Sequence, residues 1–152
     1  LSAAEIQRLI YPVSFYRNKA AHIVETCHQI MNRFGGVVPR TMEDLLTLAG
    51  VGRKTANLVL ILAHRSGDNI CVDTHVHRIS NRLGWVQTRT PEETEQALYA
   101  VVRRRWWPVV NLYLVTWGQN VCRPVFPLCQ SCAIADLCPR IGVTRVGKGV
   151  RR

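Results

Sequence analysis

Apolar residues recur at helical spacing along most of the chain, and no run alternates with the two-residue period of a strand. Ser2 followed by Glu5 is a capping box that opens a short helix to about Ile10, where Pro12 interrupts. Ala20, Ile23, Val24, Cys27 and Ile30 fall on one face of a second helix, stopped by Gly35 and Gly36. Thr41 with Asp44 starts another helix, to about Leu48. The turn Ala49-Gly50-Val51-Gly52 then leads into a helix over Arg53–His64. Asp73 is placed to cap a helix through Leu83. Thr90, Pro91, Glu92 and Glu93 give the next helix its N-cap, its first-turn proline and its first-turn acids. A last helix is expected from about Pro108 to Val121, followed by a cysteine-rich loop. The tail, residues 141–152, is rich in Gly and Arg and is expected to lack fixed structure. The fold class is all-α.

Composition narrows the partners. The chain has 152 residues, 47% of them hydrophobic, a net charge of +10 and a pI near 10.0. That size fits one compact domain or two small lobes. The charge favours an anionic partner, with nucleic acid the first candidate and a merely solvated basic surface the alternative. The longest apolar run, Leu58–Ala63, is far below the roughly 18–20 residues that span a bilayer. The first residues show no secretory leader. The six cysteines therefore read as belonging to a reducing compartment, cytoplasmic and close to the nucleoid in a bacterium, and not to a disulfide framework. The first residue is Leu1, as expected of a fragment.

The turn between the two middle helices has a chemistry. Gly50 and Gly52 can take positive φ and leave room for a close approach. The turn runs into a helix N-terminus, where N–H groups and the positive end of the helix dipole suit a phosphate. Gly50, Val51, Gly52, Arg53 and Thr55 form this candidate DNA-backbone contact, which carries no sequence preference. Lys54 sits in the first turn, where the dipole disfavours a cation by a few tenths to about 1 kcal/mol. A lysine there could serve as an amine nucleophile in Schiff-base chemistry, or simply bind phosphate, the commoner role. Asp73 reads first as an N-cap. A carboxylate so fixed could also stabilise positive charge on a sugar ring or accept a proton. His75 and His77 are two apart and share no helix face, so packing or phosphate contact is expected of them instead of metal binding.

Cys122, Cys129, Cys132 and Cys138 read C-x6-C-x2-C-x5-C. Four thiolates can hold a structural zinc or an iron–sulfur cluster. The spacing matches neither the ferredoxin patterns nor the paired knuckles of zinc ribbons, so both metals stay open, with iron–sulfur slightly ahead. Cys27 and Cys71 lie outside the loop and read as small buried hydrophobes.

Taken together, LAGVGRKTANLVL, CVDTHVHRISNRLGWV and the four-cysteine loop resemble the endonuclease III family of DNA glycosylases. TPEETEQAL and WGQNVCRPVFPLCQSC add to the likeness, which covers the chain to about Pro139. The resemblance implies a helix-hairpin-helix (about 41–64) within a partial six-helix barrel, residues 1–107. It implies a C-terminal helix and [4Fe–4S] loop, residues 108–140, and a monomer acting on double-stranded DNA away from membranes. It implies removal of oxidised pyrimidines and cleavage of the strand at the abasic site. Lys54 matches the family's nucleophile and Asp73 its essential aspartate. Two departures stand out. The family usually has Pro where Ala49 stands, which predicts a slightly looser hairpin. Its members also carry several helices before the segment that matches Leu1, so part of the cleft wall is expected to be missing and apolar surface exposed. The competing readings are a non-catalytic iron–sulfur DNA-binding fragment, and a monofunctional mismatch glycosylase of the same superfamily, which Lys54 disfavours.

Overall fold

A computed structural model of the chain describes residues 1–148, and all regular elements among them are helical. The chain folds as two compact units, Leu1–His64 and the part from Arg65 onward. The division falls ahead of the boundary near residue 107 expected from the sequence.

The first unit begins with α1 (Ala3–Ile10). Ser2 and Glu5 cap it reciprocally, as their spacing predicts: Glu5 N–H donates to the Ser2 hydroxyl and Ser2 N–H to the Glu5 carboxylate. The bond to Ser2 holds the Glu5 carboxyl below its ordinary pKa. α1 packs on α2 (Tyr16–Phe34), which ends at Gly35 in the left-handed conformation. Thr41 caps α3 (Met42–Leu46). After the turn comes α4 (Arg53–Leu58), which widens into a π-turn over Val59–Ala63 instead of running as one α-helix to His64. Leu45, Leu48, Ala56 and Leu60 form the core here, packed by Ile30, Phe34 and Met42.

α2 does not bury its expected face. Ala20 is fully buried, but Ile23 is 41% exposed and Cys27 is exposed rather than buried. Ile23 and Cys27 line an open cleft with Ile10, Val13 and Ala49. Exposed apolar side chains recur in both units, among them Phe15, Leu62, Trp106 and Tyr113.

α2 also repairs the Ala49 departure. Ala49 N–H, a donor that proline would not have, gives its hydrogen to Gln29 Oε1 at 2.8 Å. The Thr26 hydroxyl donates to Ala49 C=O at 2.7 Å. The hairpin is thus fastened where a looser one was expected. Gln29→Leu should cost about 1–3 kcal/mol by orphaning that half-buried N–H. Ala49→Pro should cost less in the Gln29→Leu background than in the parent chain. Thermal melting of the four proteins checks this, and strictly additive costs would refute the link.

In the second unit Asp73 caps α5 (Thr74–Arg82) and Thr90 caps α6 (Pro91–Val101), with Pro91 in the first turn. A 3-10 turn over Arg104–Val109 precedes α7 (Val110–Asn120), so the α-helix begins after Pro108. The core gathers Ile70, Val72, Val76, Val86, Leu98 and Val110, with Tyr99 and Trp107 packed edge to face beside it. A polar network crosses from α5 to α6: His77 Nδ1 and the Thr88 hydroxyl each lie 2.6 Å from the Thr94 hydroxyl, and Asn81 bonds Thr88. This half-buried network helps fix the pairing of the two helices. Cys71 is buried, as expected.

The tail is tied down as far as it is described. Ile141 N–H donates to Arg82 C=O and Gly147 N–H to Pro127 C=O. Beyond a turn at Ile141 and Gly142, residues 141–148 form no helix or strand, and residues 149–152 lie outside the described residues.

Candidate functional site

The hairpin turn is built around one glycine. Gly50 has φ +71°, and a Cβ placed on it would lie 2.6 Å from Nδ1 of His22 on α2. Both the backbone conformation and the neighbouring ring therefore exclude a side chain. Gly52 departs from its expected conformation. Its φ is −97° and ψ 178°, extended backbone that any residue adopts, and a Cβ there would meet open space. Its role is that of an N-cap without a side chain, so it brings no capping group to the first turn of α4. Arg53 is half-buried, while Lys54 and Thr55 are exposed. Lys54 thus stands in the first turn of α4, in the unit that ends at His64.

Asp73 belongs to the second unit. Its Oδ1 accepts from the N–H groups of His75 at 2.8 Å and Val76 at 2.9 Å, so the predicted cap is made. Oδ1 is committed to the helix and the half-buried carboxylate is held in one orientation. His75 and His77 pack as expected: His75 Nδ1 lies 3.1 Å from Arg78 Nη2, and His77 meets Thr94.

Two arginines of α5, whose reach to the cysteines the sequence does not show, organise the cysteine loop. Arg78 and Arg82 are four residues apart on α5 and so share a face, which is the signal that could have found them. Arg78 donates to Cys122 C=O at 2.8 Å. Burial lowers its guanidinium pKa and the Arg82 charge pushes the same way, against the opposing pull of Cys122 and Asp73. Arg82 donates to Cys122 Sγ at 3.4 Å, to Arg123 C=O at 2.7 Å and to Pro124 C=O at 2.8 Å.

The four cysteines of the loop are brought together. Cys122, Cys129, Cys132 and Cys138 are free thiols that line one small cavity, with Ile79, Trp117 and Leu128 among its walls. Burial raises the Cys129 thiol pKa, Arg140 opposes it, and the other three sulfurs reinforce it. Among the described residues no three Cys, His, Asp or Glu side chains converge tightly enough to share one metal ion. The cavity's lining residues include four thiols and no carboxylate or imidazole, the soft donor set that a zinc or iron–sulfur centre takes.

Comparison with known proteins gives the chain's relatives. Residues 1–104 match the family model described as HhH-GPD superfamily base excision DNA repair protein. Endonuclease III of Thermotoga maritima is 47% identical over 134 residues, covering 88% of this chain and 62% of the relative. Endonuclease III-like protein 1 of Gallus gallus is 46% identical over 138 residues, covering 90% and 49%. The chain thus spans less than two thirds of these relatives' length. The solved structure of a trapped endonuclease III–DNA covalent intermediate, an estranged-adenine complex, superposes with a TM-score of 0.84 at 34% identity. That match covers 92% of this chain and 66% of the other. On these matches this chain belongs to the HhH-GPD superfamily of base excision DNA repair proteins, in the endonuclease III branch.

Proposed function

We propose that the chain carries the chemistry of a bifunctional DNA glycosylase and abasic-site lyase acting on oxidised pyrimidines in double-stranded DNA, as a monomer. The observation that carries this reading is the exposed side chain of Lys54 in the first turn of α4, directly after a hairpin whose N-cap, Gly52, adds no side chain. Backbone donors at such a turn hold a phosphate, which sets the nearby sugar against the lysine. The target nucleotide is extruded from the stack first.

Nζ of Lys54, in its neutral form, attacks C1′, and the glycosidic bond breaks with its electron pair leaving on the base. Asp73 assists by stabilising the positive charge that develops on the sugar. Loss of the amine proton and opening of the ring give a Schiff base between Nζ and C1′. That cation makes the C2′ proton acidic. Its removal sends electrons toward C3′, the C3′–O bond breaks and the 3′ phosphate departs. Water then releases the lysine.

Cys122, Cys129, Cys132 and Cys138 would hold a [4Fe–4S] cluster. When bound, the group supplies a four-point cross-link to a loop that has little apolar core, together with a redox-capable centre.

Borohydride trapping on a duplex with one abasic site tests this reading, since it reduces the imine to a stable amine. A covalent adduct is expected. Its absence would leave the chain a non-catalytic DNA-binding module. Asp73→Asn separates cap from chemistry. Asn caps as well as Asp, so melting should be unchanged, while turnover falls by about 10²–10⁴. Full turnover in that variant would remove Asp73 from the reaction.

A further inference from the structure

Arg82 touches both ends of the cysteine loop. Its side chain donates to Cys122 Sγ and to the carbonyls of Arg123 and Pro124. Its own carbonyl accepts from Ile141 N–H at 3.1 Å and lies 3.6 Å from Cys138 Sγ. The first and last cysteines are therefore both referred to one residue at the end of α5. The cavity between the sulfurs is lined by two cations, Arg82 and Arg140, and no carboxylate is among its lining residues. Four thiolates around a [4Fe–4S] core of charge 2+ carry a net charge of −2, and reduction adds another negative charge. A guanidinium beside one sulfur stabilises the more reduced state, and an N–H···S bond draws electron density the same way.

We propose that Arg82 is a positioning residue for the cluster, fixing its first ligand and raising its reduction potential through the Nη1–H···Sγ bond to Cys122. The proposal rests on the cluster assignment. Arg82 has one structural task in common with Arg78, holding the loop to α5. It differs in reaching a ligand sulfur, and so it acts on the electronics of the cluster as well as on its retention. Lysine in its place would keep the charge but has a single nitrogen in place of the planar fork that spreads these bonds over Nη1 and Nη2.

The test compares the parent chain, Arg82→Gln and Arg82→Lys after anaerobic reconstitution with iron and sulfide. Iron release to a chelator and the cluster midpoint potential are read in each. Release should be about tenfold faster in both variants. The potential should shift downward in Arg82→Gln and return most of the way in Arg82→Lys, a pattern that mere loosening of the loop would not give. Equal potentials and equal release rates across the three proteins would overturn the proposal while leaving the cluster in place. If Arg82→Gln takes up no iron, the Arg82→Lys release rate decides, and a rate matching the parent overturns it. A parent chain that binds no iron would overturn the cluster assignment and this proposal together.

Discussion

Lys54→Ala is expected to abolish the borohydride-trapped adduct on abasic DNA while leaving most of the DNA affinity. Alanine has no amine, so no imine can form at C1′ and the loss should be complete. The affinity change should be only a few-fold, because one exposed cation contributes on the order of 1 kcal/mol or less. Lys54→Arg sharpens the comparison, since it keeps the positive charge without a competent nucleophile. A phosphate-binding lysine predicts the opposite pattern: adduct unchanged in Lys54→Ala, and affinity restored in Lys54→Arg. The sequence makes the result easy to read. Lys19, Lys54 and Lys148 are the chain's only lysines, its remaining basic side chains being arginine and histidine. A trapped peptide can therefore be assigned without ambiguity. An adduct mapped to Lys19, on the helix that carries His22 behind Gly50, would move the nucleophile but keep the hairpin as the docking element. Loss of all DNA binding in Lys54→Ala would show that the side chain is structural, and the chemical assignment would fall with it.

Features set by neighbours in sequence were legible before the structure. Ser2, Thr41, Asp73 and Thr90 cap helices because a short polar side chain can reach an N–H group two or three residues ahead. The hairpin glycine and the crowded cysteines were legible for the same reason. Features that arise when distant segments meet were not. Gln29 replaces a missing proline by accepting from Ala49, twenty residues away. The His22 ring, not φ alone, makes Gly50 obligatory. Arg82 reaches forty residues ahead to Cys122. Cys27 failed differently: the helical periodicity of α2 was read correctly, but a periodic apolar face identifies what can be buried, not whether a partner covers it. The π-turn at Val59–Ala63 had no local cue, since its five apolar residues suit an α-helix equally well.

The second large effect is expected at the cysteine loop. From Cys122 to Cys138 only Pro127 is buried, and the segment's regular structure amounts to two short 3-10 turns. Seventeen residues with so little core cannot offset their ordering entropy by apolar burial. Cross-links must supply the difference. Arg78 and Arg82 anchor the loop's first residues, and the tail bonds back at Ile141 and at Gly147, but from Leu128 to Pro139 the sulfurs of Cys129, Cys132 and Cys138 are the natural cross-linking points. Cys132→Ser removes the proposed ligand three residues after Cys129, and a serine hydroxyl is a hard, poorly ionised donor for cluster iron. Iron should fall from about four per chain toward none, and proteases should cut the loop where the parent chain resists. Cys27→Ser is the matched control: that thiol is exposed on α2 in the other unit and should leave iron untouched. Retention of full iron and an unchanged cleavage pattern in Cys132→Ser would mean that the loop holds its shape by backbone bonds alone. In that case the Arg82 clasp, not the metal, would be what closes the C-terminal part of the fold.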